Sequence, residues 1–293
     1  MNKVYYRKQH VRGLDIFFRE TGPADGPVLL LLHSYPSSSF MFRNLIPLLA
    51  HVNHIIAPDL PGFGFSDKPP ADQFEYSFDH LADIMQVFTD SLELKKFALY
   101  IFDYGAPVGL RLAMANREKI SAIITQNGNA YEEGLGKEWN PIQQYWKDDS
   151  QANRDEFRAF LTIKGTVYQY QQGASDISLI APETYTLDQH FLDQPGNIEI
   201  QLDLLRDYRN NVALYPKFHE YFREQKPPLL AVWGNRDPFF LPAGAEAYLR
   251  DNPNARLKFY DTGHFALETH TGEIAADILN FLTQANILNN KNL

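Results

Sequence analysis

A chain of 293 residues, 44% hydrophobic and 22% charged, has the make-up of an ordinary globular protein with one large core. Acidic residues outnumber basic ones 36 to 27, and the net charge of −9 repels nucleic-acid phosphates and anionic membrane surfaces, leaving a small molecule as the expected partner. Cysteine is absent, which excludes disulfides, thiolate metal sites and a cysteine nucleophile.

The first twenty residues, "MNKVYYRKQHVRGLDIFFRE", contain no apolar segment of signal-peptide length, and the longest aliphatic run, Val28 to Leu32, is too short to span a bilayer. A cytoplasmic location is therefore expected. Nearly continuous apolar runs follow at "PVLLLLH" (27–33), "HIIAPDL" (54–60), "KFALYIF" (96–102), "SAIITQNG" (121–128) and "PPLLAVWG" (227–234), each reading as a strand buried on both faces of a parallel sheet. Between them, "FDHLADIMQVFTDSLEL" (78–94) lines up Leu81, Ile84, Met85, Phe88 and Leu92 on one helical stripe, and "GEIAADILNFLTQANI" (272–287) does the same with Ile274, Ile278 and Phe281. Alternating strands and helices predict an α/β fold with a mostly parallel, doubly wound sheet. From 132 to 225 the strand signals vanish and aromatic-rich helical segments replace them. The expected organisation is a core formed by 1–131 and 226–293, interrupted by a helical cap at 132–225. Only the tail "NILNNKNL" is expected to lie outside the fold.

The stretch "ALYIFDYGAPVGLRLA" (98–113) reads as a buried strand, a sharp turn at Asp103 and a helix, with Gly105 and Ala106 supplying the room that closely passing backbones require. No G-x-S-x-G occurs in the chain, so the raised side chain is a carboxylate. An ionised carboxylate displaces a leaving group from an sp³ carbon without a base to deprotonate it, giving an alkyl ester on the protein. Releasing that ester takes an activated water, hence a histidine and a second acid to orient it. Asp237, after the strand in "LAVWGNRDPFF", and His264, after the next in "LKFYDTGHFALE", follow in the order nucleophile, acid, histidine. Each has a plainer explanation, a helix-capping turn at "RDP" and a surface histidine, but the three positions together favour a catalytic set. The backbone N–H groups of Tyr35, in "HSYPSSSFMFRN", and of Tyr104 are placed to hold the oxyanion formed during ester hydrolysis. His33, the last residue of its strand, reads as structural.

These segments resemble the α/β-hydrolase superfamily, in particular its aspartate-nucleophile branch of epoxide hydrolases, haloalkane dehalogenases and fluoroacetate dehalogenases. "HSYPSSSFMFRNLIPLLA" is similar to its H-G-x-P segment, "FDYGAPVG" to its D-W-G-G-P-x-G elbow and "GHFALE" to its histidine segment. The resemblance implies an α/β-hydrolase fold with Asp103 as nucleophile, His264 as base, Asp237 as its acid partner, and Tyr35 and Tyr104 N–H groups as oxyanion hole. It also implies that Tyr145, Trp146 and Tyr208 meet substrate or leaving group, with Tyr131, Tyr168, Tyr170 and Tyr185 as substitutes. Tyr104 stands where haloalkane dehalogenases carry a halide-binding tryptophan, Ser34 where the glycine of H-G-x-P is usual, and Asn127 and Asn129 where some relatives place the acid.

An epoxide is thus favoured over a carbon–halogen bond. Ester or lactone hydrolysis with the same residues ranks lower, because a carboxylate attacking an ester carbonyl gives an anhydride. A non-catalytic small-molecule receptor is the alternative of another class. No cofactor or metal is expected: neither "FHEYF" nor "GHFALETH" has H-E-x-x-H spacing, and "DLPGFGFSD" lacks the third glycine of a dinucleotide fingerprint and reads as a structural turn. Oligomeric state is not encoded in any motif of the chain.

Overall fold

The computed structural model describes residues 3–148, 150–158 and 160–288; of the tail "NILNNKNL", residues 289–293 lie outside the described residues. Eight strands form one sheet: β1 (Tyr5–Val11), β2 (Leu14–Thr21), β3 (Val28–Leu32), β4 (His54–Pro58), β5 (Phe97–Phe102), β6 (Ile120–Gln126), β7 (Leu229–Gly234) and β8 (Ala255–Tyr260). Their order is β1-β2-β4-β3-β5-β6-β7-β8, antiparallel through β1, β2 and β4 and parallel from β4 onward. The five apolar runs are the parallel strands β3 to β7. The β1–β2 hairpin is an addition to the expected pattern, since β1 is mostly exposed and carries no buried run to mark it.

Strand β5 shows why such runs are continuous. All six of its residues are buried: Phe97, Leu99 and Ile101 enter one apolar cluster, while Ala98, Tyr100 and Phe102 enter the other. Successive side chains point to opposite faces, so a strand with a core on each side is apolar at every position. Helices α2 (Phe78–Ser91) and α3 (Gly105–Ala115) cover the first face; α1 (Ile46–Leu49) and α10 (Ala266–Gln284) cover the second. Helix α2 starts where Ser77 caps the His80 N–H and inserts Leu81, Ile84, Met85 and Phe88, each contributing about 2 kcal/mol of apolar burial.

The loop 59–67 is a turn held by Asp59, whose two carboxylate oxygens accept from the N–H groups of Ser39 (2.7 Å) and Phe65 (2.8 Å). Gly64 there has φ +49°, and a Cβ would stand 2.1 Å from the Asp59 carboxylate.

Between β6 and β7 the chain forms α4 (Trp139–Lys147), α5 (Gln151–Arg158), α6 (Ile163–Gln171), α7 (Pro182–Leu192) and α8 (Asn197–Gln225). No strand occurs there among the described residues, apart from an isolated bridge between Leu135 and Phe240. Helix α9 (Pro242–Asp251) then links β7 to β8. No helix among the described residues is long and apolar enough to cross a membrane.

Candidate active site

At the carboxyl end of β5 the backbone turns so sharply that Asp103 takes φ +47°, a left-handed conformation costly for most residues and tolerated best by aspartate and asparagine. Two glycines let the following helix α3 close against the sheet. A Cβ on Gly105 would lie 2.3 Å from the Leu32 carbonyl oxygen, and one on Gly109 would lie 2.3 Å from Ile101 Cγ2. The result is a carboxylate lifted above the central strands and only 5% exposed.

Asp103 Oδ2 accepts the backbone N–H of Tyr35 at 2.8 Å. Ser34 needs no glycine's freedom, since its φ is not positive, and its hydroxyl bonds that of Ser37 at 2.9 Å within the same loop. His33 fastens the loop: its Nε2 accepts the Leu60 N–H at 2.9 Å, so its Nδ1 carries the proton and donates to Ser34 O at 2.8 Å. Both ring nitrogens are thereby used structurally.

His264, in the loop after β8, is 2% exposed. Its Nδ1 donates to Asp237 Oδ2 at 2.7 Å, and its Nε2 faces Asp103 Oδ2 at 4.0 Å. Asp237 performs two tasks. One oxygen accepts the Phe239 N–H at 2.8 Å and shapes the "RDP" turn, while the other holds the imidazole. The turn caps no helix, since α9 begins only at Pro242 and its N-cap is Leu241; the same carboxylate bonds the turn's backbone and the imidazole.

Burial pushes the Asp103 carboxyl up to about 6, against His264 and the N–H groups of Tyr35 and Tyr104, which favour the charged form. Burial pulls His264 down, but the carboxylate and hydrogen bond of Asp237, with Asp103 behind them, outweigh it and hold the imidazole above its ordinary value.

Sequence reading passed over Asn127, treated there only as a missing acid. It follows β6 with φ +40°, donates Nδ2–H to Asp237 Oδ2 at 2.7 Å, and accepts the Gly234 N–H at 3.0 Å. An amide at this position carries no charge to compete with Asp237, and the left-handed backbone at a strand end was the available clue.

Asp103 and His264 open onto a cavity of about 430 Å³ walled by Trp139, Pro141 and Ile142 of α4, Phe157 of α5, Phe160, Leu161, Leu205 of α8, Phe239 and Phe240. Tyr35, Tyr104 and Tyr168 also line it, with Glu138, Lys164, Gly165 and Gln169. Tyr145, Trp146 and Tyr208 do not, contrary to the expectation that they meet the substrate. Helix α4 packs on α8, and both end residues bond to its carbonyls: the Tyr145 hydroxyl to Leu202 O at 3.4 Å, the Trp146 indole N–H to Leu205 O at 2.8 Å. Tyr208 is fully buried beneath Trp139, ring centroids 4.4 Å apart, and its hydroxyl has no partner in good geometry, with Tyr215 nearby. Of the four substitutes, Tyr168 alone lines the cavity, its hydroxyl donating to Glu138 Oε1 at 3.2 Å. Which aromatic of a helical insertion faces inward depends on how the helices pack, and no local sequence signal carries that information.

Among the described residues no cluster of side chains could hold a metal ion. The arrangement is a held carboxylate, a histidine oriented by a second acid, and an apolar chamber above them.

Comparison with known proteins agrees with this fold. The family model for the alpha/beta hydrolase fold matches residues 27–271. An uncharacterized hydrolase of Saccharomyces cerevisiae is 45% identical over 285 residues, covering 96% of this chain and 97% of that protein. Epoxide hydrolase 2 of Caenorhabditis elegans is 26% identical over 249 residues, 80% of this chain and 68% of that one. The crystal structure of a haloalkane dehalogenase from Bradyrhizobium elkani superposes with a TM-score of 0.81 at 20% identity, covering 97% of this chain and 99% of that one. The chain belongs to the α/β-hydrolase fold family and is a hydrolase.

Proposed function

We propose that the protein hydrolyses a small apolar substrate through an ester on Asp103, and that the bond it opens is the carbon–oxygen bond of an epoxide. Residues 132–225 act as the cap that closes the chamber. One observation carries the reading: His264 Nε2 stands 4.0 Å from Asp103 Oδ2, too far for a hydrogen bond, while Tyr35 N–H already grips that oxygen. An imidazole so placed does not activate the nucleophile; it faces the point where water attacks the ester.

In the first step a carboxylate oxygen of Asp103 forms a bond to an epoxide carbon. The bond from that carbon to the epoxide oxygen breaks, and the resulting alkoxide takes a proton from a cavity hydroxyl, for which Tyr35, Tyr104 and Tyr168 are at hand. In the second step His264 removes a proton from water, the hydroxide attacks the Asp103 carboxyl carbon, and the Tyr35 and Tyr104 N–H groups hold the resulting oxyanion. Collapse expels the ester alkoxide, which takes the proton held by His264 to complete the diol, and the Asp103 carboxyl returns its proton to the tyrosine oxygen, restoring all three groups.

An epoxide fits better than a halide because the cavity offers hydroxyls, whereas the indole N–H of its one tryptophan, Trp139, is bonded to Phe239 O at 3.0 Å. The test is mass spectrometry of the His264→Gln variant after incubation with matched epoxides, haloalkanes and esters. Accumulation of an adduct on Asp103 with epoxides is the expected result. An unmodified Asp103 after exposure to compounds the wild type consumes overturns the covalent route, and an adduct formed only with haloalkanes moves the assignment to dehalogenation.

A further inference from the structure

The chamber above Asp103 is apolar on nearly every side, yet one lysine belongs to its wall. Lys164, on the first turn of α6, is solvent-exposed and lines the same cavity as the buried Asp103 and His264, so it marks the end open to water. Apart from His264 it is the only basic side chain among the lining residues, and it makes no ion pair among the described residues. Glu138, the lining's only carboxylate besides Asp103, instead accepts the Tyr168 hydroxyl. Phe160, Leu161, Phe157 and Ile142 belong to the same wall. An ammonium with no protein counter-ion at the rim of an apolar chamber is matched by a ligand with a hydrophobic body and a negative end.

We infer that Lys164 is a specificity-determining residue and that the preferred substrates are amphipathic anions, with the reacting carbon carried on an apolar chain or ring and an anionic group held at the mouth. This narrows the small apolar substrate of the proposed function to one whose apolar body carries an anionic end, and rests on that function for the identity of the reacting carbon, but the charge preference belongs to the cavity itself. The contact is solvent-exposed, so its effect is modest and screened by salt. It takes no part in the bond changes and is made alike before and during reaction, so it enters KM while kcat stays unchanged.

Calorimetric binding of decanoate and of decanamide, ligands of the same apolar body, tests the inference without requiring turnover. Wild-type protein at low salt should bind decanoate about three- to fivefold more tightly, the difference shrinking at high salt. Lys164→Met should abolish the difference, Lys164→Glu should reverse it, and Glu138→Gln should enlarge it. Equal binding of acid and amide, a preference that survives in Lys164→Met, or no binding of either compound overturns the inference. The adduct experiment on His264→Gln is independent. A decanoate preference that depends on Lys164 without any adduct on Asp103 leaves this inference standing and removes the ester mechanism, and the converse pair of results does the opposite.

Discussion

His264 Nε2 lies 4.0 Å from Asp103 Oδ2, while on its other side Nδ1 is bonded to Asp237 at 2.7 Å. In a serine hydrolase the histidine must touch the nucleophile to deprotonate it; a carboxylate nucleophile needs no such contact, and the gap accommodates a step that comes later.

The two half-reactions should separate by mutation. His264→Gln is expected to lower steady-state turnover on the order of 10²–10⁴-fold, the range for loss of a general base, while the first-turnover alkylation rate stays within about tenfold of wild type. Rapid-quench kinetics with an epoxide measures both. Equal losses in the two would place His264 in the first step.

The alkylation rate should depend on the ionisation of Asp103. With its carboxyl pushed up to about 6 by burial, the burst rate is expected to fall below that pH and level off above it. His264 favours the charged carboxylate, so in His264→Gln the inflection should move to higher pH. An inflection unmoved or lowered in the variant contradicts the assigned coupling.

The same burial makes Asp103 a cost to folding. Its carboxyl titrates near 4 in the unfolded chain and near 6 in the native one, so the native state holds the extra proton between these values and stability declines as pH rises through them. Above pH 7 the ionised group costs about 3 kcal/mol. Asp103→Asn, which keeps an oxygen for the Tyr35 N–H, should therefore be more stable than wild type by up to that amount at pH 8, with the gain vanishing toward pH 4. Denaturant unfolding at the two pH values decides it.

Asn127 is expected to matter through Asp237. Asn127→Gly retains the left-handed backbone and deletes the amide, so the buried Asp237 carboxylate loses one donor and the Gly234 N–H loses its acceptor. The expected cost is about 1.5–3 kcal/mol in unfolding free energy. A fall in kcat with little change in KM should accompany it, because a less firmly held Asp237 orients His264 less well. Unchanged kcat would reduce Asn127 to a structural residue.

Two glycine substitutions should differ in sign. Gly105→Ala places a methyl 2.3 Å from the Leu32 carbonyl oxygen, forcing strand and helix apart at the elbow, and should destabilise by about 3 kcal/mol or more. Gly272→Ala, exposed in α10 two residues after the non-helical backbone of His270, with nothing in reach of its new methyl, should stabilise by up to about 0.5 kcal/mol. Thermal unfolding of the pair measures how tightly the elbow is packed.

Local patterns carried the core. The apolar runs of β3 to β7, the stripe of α2, the turn at Asp103 with small residues after it, and the chain order of Asp103, Asp237 and His264 were all readable in the sequence. Each of these is set by residues a few positions apart: two-sided burial of a strand, 3.6-residue periodicity, or the space needed at a close backbone approach. The tertiary structure decided what depends on distant segments meeting. Asn127 reaches an acid 110 positions away. Tyr145 and Trp146 turn to the carbonyls of α8, while Trp139, Tyr168 and Lys164 line the chamber in their place. A buried hydroxyl or indole N–H goes wherever an acceptor stands once the helices are packed, and that position is a property of the assembled fold, which no short stretch of the chain contains.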